Sequence, residues 1–180
     1  MNSKKIFLIV GMIFIVTAML LTPLAAKEVK SEMISGKGFD RVEVPDNFKV
    51  NGDKAVSDDC VVEVHSQEEG EIVNFENFWD VANNGAYSDN FSLGDTSKSG
   101  FKVYDFTAQK LFFDVVSFAF DKAMPDHYLS DYKNARFVYF IQDGSTPRQG
   151  GLVIISTNSS DFDLNSGDIN DIVESFEIKT

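Results

Sequence analysis

Apolar and polar residues alternate in short runs through most of the chain, beginning near residue 38. Val42 and Val44 alternate with polar residues before the turn-forming sequence PDN, and Phe48 and Val50 then resume the same period. A period of two places successive side chains on opposite faces of a strand. The pattern therefore predicts a strand, a tight turn and a second short strand.

Further runs of this kind follow along the chain. CVVEVH, from Cys60 to His65, predicts a third strand, and FSLG and FKVYDFTA predict two more. ARFVYFIQ and GLVIIST flank the turn-rich loop DGSTPRQG, which predicts a β-hairpin. The run LFFDVVSFAF over residues 111–120 is almost continuously apolar, so it fits either a strand or a buried helix.

One segment in the first half has the period of an amphipathic helix instead. Its apolar residues three and four positions apart share one face: Phe75, Phe78, Trp79 and Ala82. Asn74 fits the N-cap and Gly85 the C-terminal end. Such an aromatic face could line a ligand pocket, but packing on a sheet is far more common. Strands joined by turns predict one α+β domain over residues 38–180, a mainly antiparallel sheet with two or three helices packed on it.

The chain begins with two lysines and an uncharged run from Ile6 to Ala26, which predicts an N-terminal export segment over residues 1–26. Pro23 and the small residues after it favour a cleaved signal peptide, whereas an uncharged run of 21 residues is also long enough for a membrane anchor. The sequence is compatible with both. The positive-inside rule keeps the lysines in the cytoplasm and places the rest outside. Residues 27–37 are polar without a period and predict a linker.

The charge of the chain is concentrated after this segment. All 28 acidic residues and 14 of the 16 basic residues lie after Ala26, so this part carries a net charge of −14. Such a surface repels nucleic acid and anionic lipid headgroups, so we expect no nucleic-acid partner and membrane contact only through the N-terminal segment. Cys60 is the only cysteine, so the fold depends on its apolar core rather than on an internal disulfide.

The stretch DFDLNSGDINDIVE, residues 161–174, begins like a calcium loop. Asp161, Asp163 and Asn165 supply oxygens at the first, third and fifth positions, as an EF-hand loop requires. The glycine comes one place late, however, and the twelfth position is Ile172 instead of a bidentate glutamate. The positions that distinguish a calcium loop are therefore the ones that fail.

A helix explains the same stretch with fewer requirements. One apolar face contains Ile169, Ile172, Val173 and Phe176. Asp168 is then expected at the N-cap, and Asp171 in the first turn, where the helix dipole favours negative charge. We therefore predict a terminal helix and no metal site here.

The sequence contains no recognisable catalytic set or cofactor motif. His65 and His127 lie far apart without a third ligand at zinc-site spacing, and Cys60 and His65 are expected on opposite faces of one strand. No nucleophile elbow, phosphate-binding loop or dinucleotide fingerprint occurs. The glycosylation sequons at Asn90 and Asn158 are about as frequent as chance predicts. We therefore assign no catalytic, cofactor-binding or metal-binding residue.

The opening VPDNF and the close IVESFEI, residues 172–178, together with the order of elements, resemble the PsbP-like α/β sandwich. They resemble small exported proteins of unknown function that share this look as well. The likeness covers residues 38–179. It implies a role in binding and assembly, and it carries over no catalytic residues.

These observations lead to three hypotheses about function. The first, which we prefer, is a non-enzymatic extracytoplasmic module, membrane-anchored or secreted, that binds a protein or small-molecule partner. The second is an exported enzyme that uses paired carboxylates in a cleft, since this acidic composition would easily hide such a pair. The third is a calcium-stabilised surface domain.

Overall fold

The computed structural model describes residues 31–35, 40–81, 92–94, 98, 100–109, 132–142 and 144–178. In chain order the elements are β1 (Ser31–Ser35), β2 (Asp40–Pro45), β3 (Lys49–Asn51), β4 (Lys54–Val56), β5 (Val61–Gln67), α1 (Glu69–Val81), β6 (Ser92–Gly94), β7 (Phe101–Gln109), β8 (Asn134–Gln142), β9 (Gly150–Thr157), α2 (Gly167–Glu174) and β10 (Glu177–Ile178). They belong to a compact unit that begins at Ser31.

The strands form two antiparallel sheets. The large sheet has the order β3-β4-β5-β9-β8-β7-β6, and the small sheet has the order β1-β2-β10. The predicted hairpin is β8 and β9, which pair from Asn134 opposite Thr157 to Ile141 opposite Gly150. The mainly antiparallel α+β architecture is thus confirmed for the described residues.

The large sheet is covered on both faces, as the side chains of its interior strand β8 show. Tyr139 faces α1 and stacks on Phe75, with ring centroids 4.1 Å apart. The next residue, Phe140, points the other way and stacks on Phe176 after α2, also at 4.1 Å. The small sheet and α2 complete this second layer through side chains such as Val42. A strand buried on both faces needs a continuous apolar run, which is what ARFVYFIQ provides.

The first helix begins earlier than its aromatic face indicated. Asn74, the predicted N-cap, is an exposed residue in the middle of α1, which starts at Glu69. The Glu71 carboxylate caps the start of the helix, because it accepts the backbone N–H of Glu68 at 3.0 Å, as in a capping box. Ile72 adds one more buried position before Phe75. The predicted end at Gly85 lies outside the described residues.

The second helix has its predicted apolar face but a different start. Asp168 is not the N-cap, because α2 begins at Gly167 with Ser166 at the N-cap position. The backbone N–H of Asn170 donates to the Ser166 carbonyl at 2.9 Å, which fixes the helix start two residues earlier than predicted. Asp168 lies in the first turn instead, and Asp171 lies beyond it. The predicted buried face is confirmed: Ile169, Ile172, Val173 and Phe176.

Two strands were not predicted. β1 lies inside residues 27–37, the expected linker, and pairs with β2 along its whole length. Its Ile34 is fully buried while Met33 is exposed, and a single inward apolar residue gives no detectable period. β4 is only three residues long and pairs with β5. Residues 111–120, which fit a strand or a helix, lie outside the described part of the chain.

A buried ion pair fixes the loop before α2 to the large sheet. The guanidinium of Arg136 donates to both carboxylate oxygens of Asp105, at 2.9 and 2.6 Å. Its remaining nitrogen donates to the Leu164 carbonyl at 3.0 Å and to the Asn170 side chain at 2.7 Å. One buried side chain therefore holds β7, β8, the loop and α2 in a fixed relation.

The described part of the chain contains no helix with the length and hydrophobicity that spanning a membrane requires. The predicted export segment, residues 1–26, lies outside the described residues.

Candidate functional site

A cleft of about 400 Å³ lies where the small sheet meets one end of the large sheet. Its lining comes from β2 and β10 (Asp40, Ile178), the end of β5 (Ser66, Gln67), the entry to α1 with its first residues (68–70) and the loop into β9 with the first residue of that strand (147–150). Small-ligand sites usually have volumes of about 300–1,000 Å³. The cleft is therefore large enough for a small ligand.

Arg148 connects the hairpin loop to α1 along one wall of the cleft. Its backbone N–H and Nε donate to the two carboxylate oxygens of Glu69, each at 2.8 Å. One terminal nitrogen donates to Glu69 at 2.7 Å, and the other donates to Glu76 at 2.7 Å. Two carboxylates thus share one guanidinium, which leaves this wall without a free positive charge.

These contacts shift the protonation equilibria of the partners. Hydrogen bonds from Arg148 lower the pKa of Glu69 below its usual value. At Glu76, partial burial raises the pKa, but hydrogen bonds from Arg148 and Lys102 outweigh the burial, so the pKa of Glu76 is also lowered. Both carboxylates are therefore ionised at neutral pH and occupied by their cationic partners.

Asp40 is the unusual residue of the cleft. It is the first residue of β2, and it lies on the buried side of the strand together with Val42 and Val44. The residue is only 1 % exposed. Among the described residues, its Oδ2 has no hydrogen-bond partner. A buried polar atom without a partner costs about 1–3 kcal/mol, and more when the group is charged.

The surroundings of Asp40 are tightly packed and mostly apolar. A Cβ atom on Gly151 would lie 2.8 Å from Oδ2 and 2.5 Å from the ring of Phe176, so only glycine fits on β9 beneath them. Burial raises the pKa of the Asp40 carboxyl from 3.8 to about 7, although a hydrogen bond with Ser66 acts in the opposite direction. Near neutral pH this carboxyl therefore exists in both its neutral and its charged form.

The sequence itself contains a signal for Asp40. Asp40, Val42 and Val44 are spaced two apart, so the alternation that predicts β2 also places Asp40 on its core face. A carboxylate in line with two buried valines breaks the expected pattern. Arg148 had no such signal, because a loop position gives no information about which helix it contacts.

The cleft combines groups that can bind but not an evident catalytic pair. Asp40 has a raised pKa, as general acids do, and Glu69 has a lowered one. A second carboxylate in catalysis would need free oxygens, but both oxygens of Glu69 already accept hydrogen bonds from Arg148. Asp40 is thus the one cleft carboxyl that combines burial with an unpartnered oxygen in the described residues.

The calcium-like residues form a turn. Oδ1 of Asp163 accepts the backbone N–H of Asn165 at 2.9 Å, and the Asp163 carbonyl accepts that of Ser166 at 3.2 Å. Asp161 is exposed on the same loop. The described residues include no cluster of three or more His, Cys, Asp or Glu side chains that could hold a metal ion. The Asp163 oxygen is thus used to shape the entry to α2.

The other residues singled out in the sequence lie apart from the cleft lining. Cys60 is buried in the layer formed with the small sheet, and burial raises the pKa of its thiol. His65 lies on the opposite face of β5, across from Leu152, and its Nε2 is 3.4 Å from Glu63 Oε2. Asn158 is exposed after β9. His127 and Asn90 lie outside the described residues.

No known protein-family model matches the chain, and neither does any curated protein. The resemblance to PsbP-like proteins therefore stays a prediction. The geometry and charges of the cleft are the basis for a functional proposal.

Proposed function

We propose that this protein is a non-enzymatic extracytoplasmic module that binds a small ligand, or a short protruding group of a partner, in the Asp40 cleft. The observation that carries this proposal is the cleft of about 400 Å³, whose lining includes Asp40, a buried carboxyl with a pKa of about 7. The cleft has the volume for such a ligand.

The location outside the cytoplasm follows from the N-terminal pattern. Two lysines precede a 21-residue uncharged run, and all acidic residues come after it. Intact-mass measurement of the protein purified from its native membrane and medium fractions tests this part. Recovery of the full-length chain in the cytoplasmic fraction would contradict an extracytoplasmic location.

An exported enzyme that uses paired carboxylates is the second candidate. Asp40 favours it, because a carboxyl with a pKa of about 7 suits a general acid. The Arg148 contacts argue against Glu69 as the base or nucleophile of such a pair, because they occupy its carboxylate. Binding therefore explains the cleft with fewer requirements than catalysis.

The proposal can be tested with amide NMR spectra of the full-length protein in detergent micelles. A library of small polar compounds is added in groups, and shifts are mapped onto the chain. We expect hits to move the amides of Ser66, Gln67, Gly70 and Gln149, which line the cleft. As a control, the amides of the turn at Asp46 should not respond. If no compound moves the cleft amides selectively, the proposal is wrong.

A further inference from the structure

We propose that the Ser66 hydroxyl is the group through which the cleft holds its ligand, and that the proton on the neighbouring Asp40 decides whether this hydroxyl donates or accepts there. The inference rests on the proposed binding function and adds the regulation of the same site. Ser66 is half-buried near the end of β5 and lines the cleft, whereas Asp40 is buried. A ligand therefore contacts the serine, and the buried carboxyl acts on the ligand only through it.

The register of the large sheet places the two groups side by side. Ser66 lies opposite Gly151 in the pairing of β5 with β9, so both residues present the same face of the sheet. A Cβ atom on Gly151 would lie 2.8 Å from Asp40 Oδ2, so the carboxyl occupies the space beside the Ser66 side chain. The two side chains form a hydrogen bond. Because Oδ2 has no partner among the described residues, this bond uses Oδ1.

The proton on the carboxyl reverses the direction of this hydrogen bond. An ionised carboxylate is only an acceptor, so the Ser66 O–H donates to it and the Ser66 oxygen is left to accept from a ligand. A neutral carboxyl has one O–H, and a proton on Oδ2 would be a buried donor without a partner, which is rarer in proteins than an unpaired acceptor. The proton therefore lies on Oδ1 and donates to Ser66, whose own O–H is then released to the cleft.

Burial, rather than a neighbouring charge, brings this change close to neutral pH. Burial raises the pKa of Asp40 to about 7, and the hydrogen bond with Ser66 acts in the opposite direction. The titratable side chains around the carboxyl are Arg41 and Glu177 in the small sheet, Glu68, Glu69 and Arg148 on the cleft walls, and Tyr139. Two ion pairs, Arg41 with Glu177 and Arg148 with Glu69, neutralise most of these charges. The cleft therefore favours ligand groups that accept hydrogen bonds below pH about 7 and groups that donate them above it.

Two uncharged probes test the inference, because direct attraction between net charges then plays no part. They are N,N-dimethylacetamide, which only accepts hydrogen bonds, and pyrrole, whose N–H donates one. Each is titrated into the full-length protein in micelles at pH 5 and pH 9, and the amide shifts of Ser66 and Gln67 report binding. We expect dimethylacetamide to bind about two- to twelvefold more tightly at pH 5, and pyrrole to bind more tightly by a similar factor at pH 9, since one neutral hydrogen bond contributes about this much.

Variants and a titration without ligand complete the experiment. Asp40→Asn should abolish the pH dependence of probe binding, whereas Asp46→Asn, which removes the same charge from an exposed turn, should keep it. Without a probe, the carboxyl carbon shift of Asp40 should titrate near pH 7 in the native protein. In Ser66→Ala it should titrate at a higher pH, because the ionised form loses a hydrogen bond. Circular dichroism checks that the variants fold.

Three results would overturn the inference. They are equal binding of each probe at the two pH values, no response of the Ser66 amide to either probe, and an Asp40 titration that Ser66→Ala leaves unchanged. In that case, hits of the compound library that move other cleft amides would leave the proposed binding function standing. If the library also finds no such hit, both proposals fail.

Discussion

Asp40→Asn should make the stability of this protein less dependent on pH, and it should stabilise the fold in mild alkali. Asp40 has a pKa of about 7 in the folded chain against 3.8 when it is exposed. Between these pH values the folded chain keeps a proton that the unfolded chain has lost. The free energy of unfolding therefore falls as the pH rises through this window, and it becomes constant above pH about 7.

The size of the effect follows from the shift in proton affinity. Each tenfold change in affinity corresponds to about 1.4 kcal/mol. A pKa raised from 3.8 to about 7 therefore removes about 4 kcal/mol from the stability between the two ends of the window. Asparagine has nearly the same shape and cannot ionise. We expect the variant to match the native protein near pH 4 and to exceed it by up to about 4 kcal/mol at pH 8.

Urea unfolding followed by circular dichroism at pH 4 and pH 8 measures both values. The control is Asp46→Asn, which makes the same substitution in the exposed turn after β2. Its effect should be small and nearly equal at the two pH values. A difference between native protein and Asp40→Asn that is the same at pH 4 and pH 8 would refute the reasoning, since it would show that Asp40 does not titrate between them in the folded state.

Further substitutions test side-chain packing in the fold by thermal unfolding. Gly151→Ala should destabilise the fold by about 1–3 kcal/mol through overpacking, whereas Gly70→Ala, with open space around its Cβ, should be neutral or slightly stabilising. Asp105→Ala should cost about 3–5 kcal/mol because it leaves the buried Arg136 guanidinium unpaired, and replacing both residues by apolar ones should recover part of the loss. Phe75→Ala should cost about 3–5 kcal/mol and change the fluorescence of the single tryptophan, whose ring centroid is 5.9 Å away. A loss below about 1 kcal/mol in either of the last two would contradict these assignments.

The sheet was largely predictable from the sequence because its strands carry their own signals. The apolar runs of β8 and β9 and the turn-rich loop between them predict the hairpin that the structure contains. The face of α2 was predictable for the same reason, since four apolar residues repeat at helical spacing. Short elements such as β1 could not be predicted, because their pairing with a neighbour decides their conformation.

The candidate site was harder to predict, because its parts come from distant segments. The pKa of Asp40 depends on its burial over Gly151 and beside Phe176, and neither neighbour has a local signature in the sequence. The same holds for Arg148, because its partner Glu69 lies 79 residues earlier in the sequence. The start of α2 was misplaced because Ser166 and Asp168 have similar capping propensities, and the backbone hydrogen bond from Asn170 to Ser166 that decides between them has no local signature.

The pairing of β10 with β2 has a kinetic consequence. It brings Ile178 opposite Asp40, so the cleft requires contact between segments near opposite ends of the folded unit. Such long-range pairing carries a large loop-closure entropy, so it is expected to form late, after the hairpin of β8 and β9. A ligand held in the cleft would then have little effect on the rate of folding. It would instead slow unfolding, and so lengthen the lifetime of the folded protein.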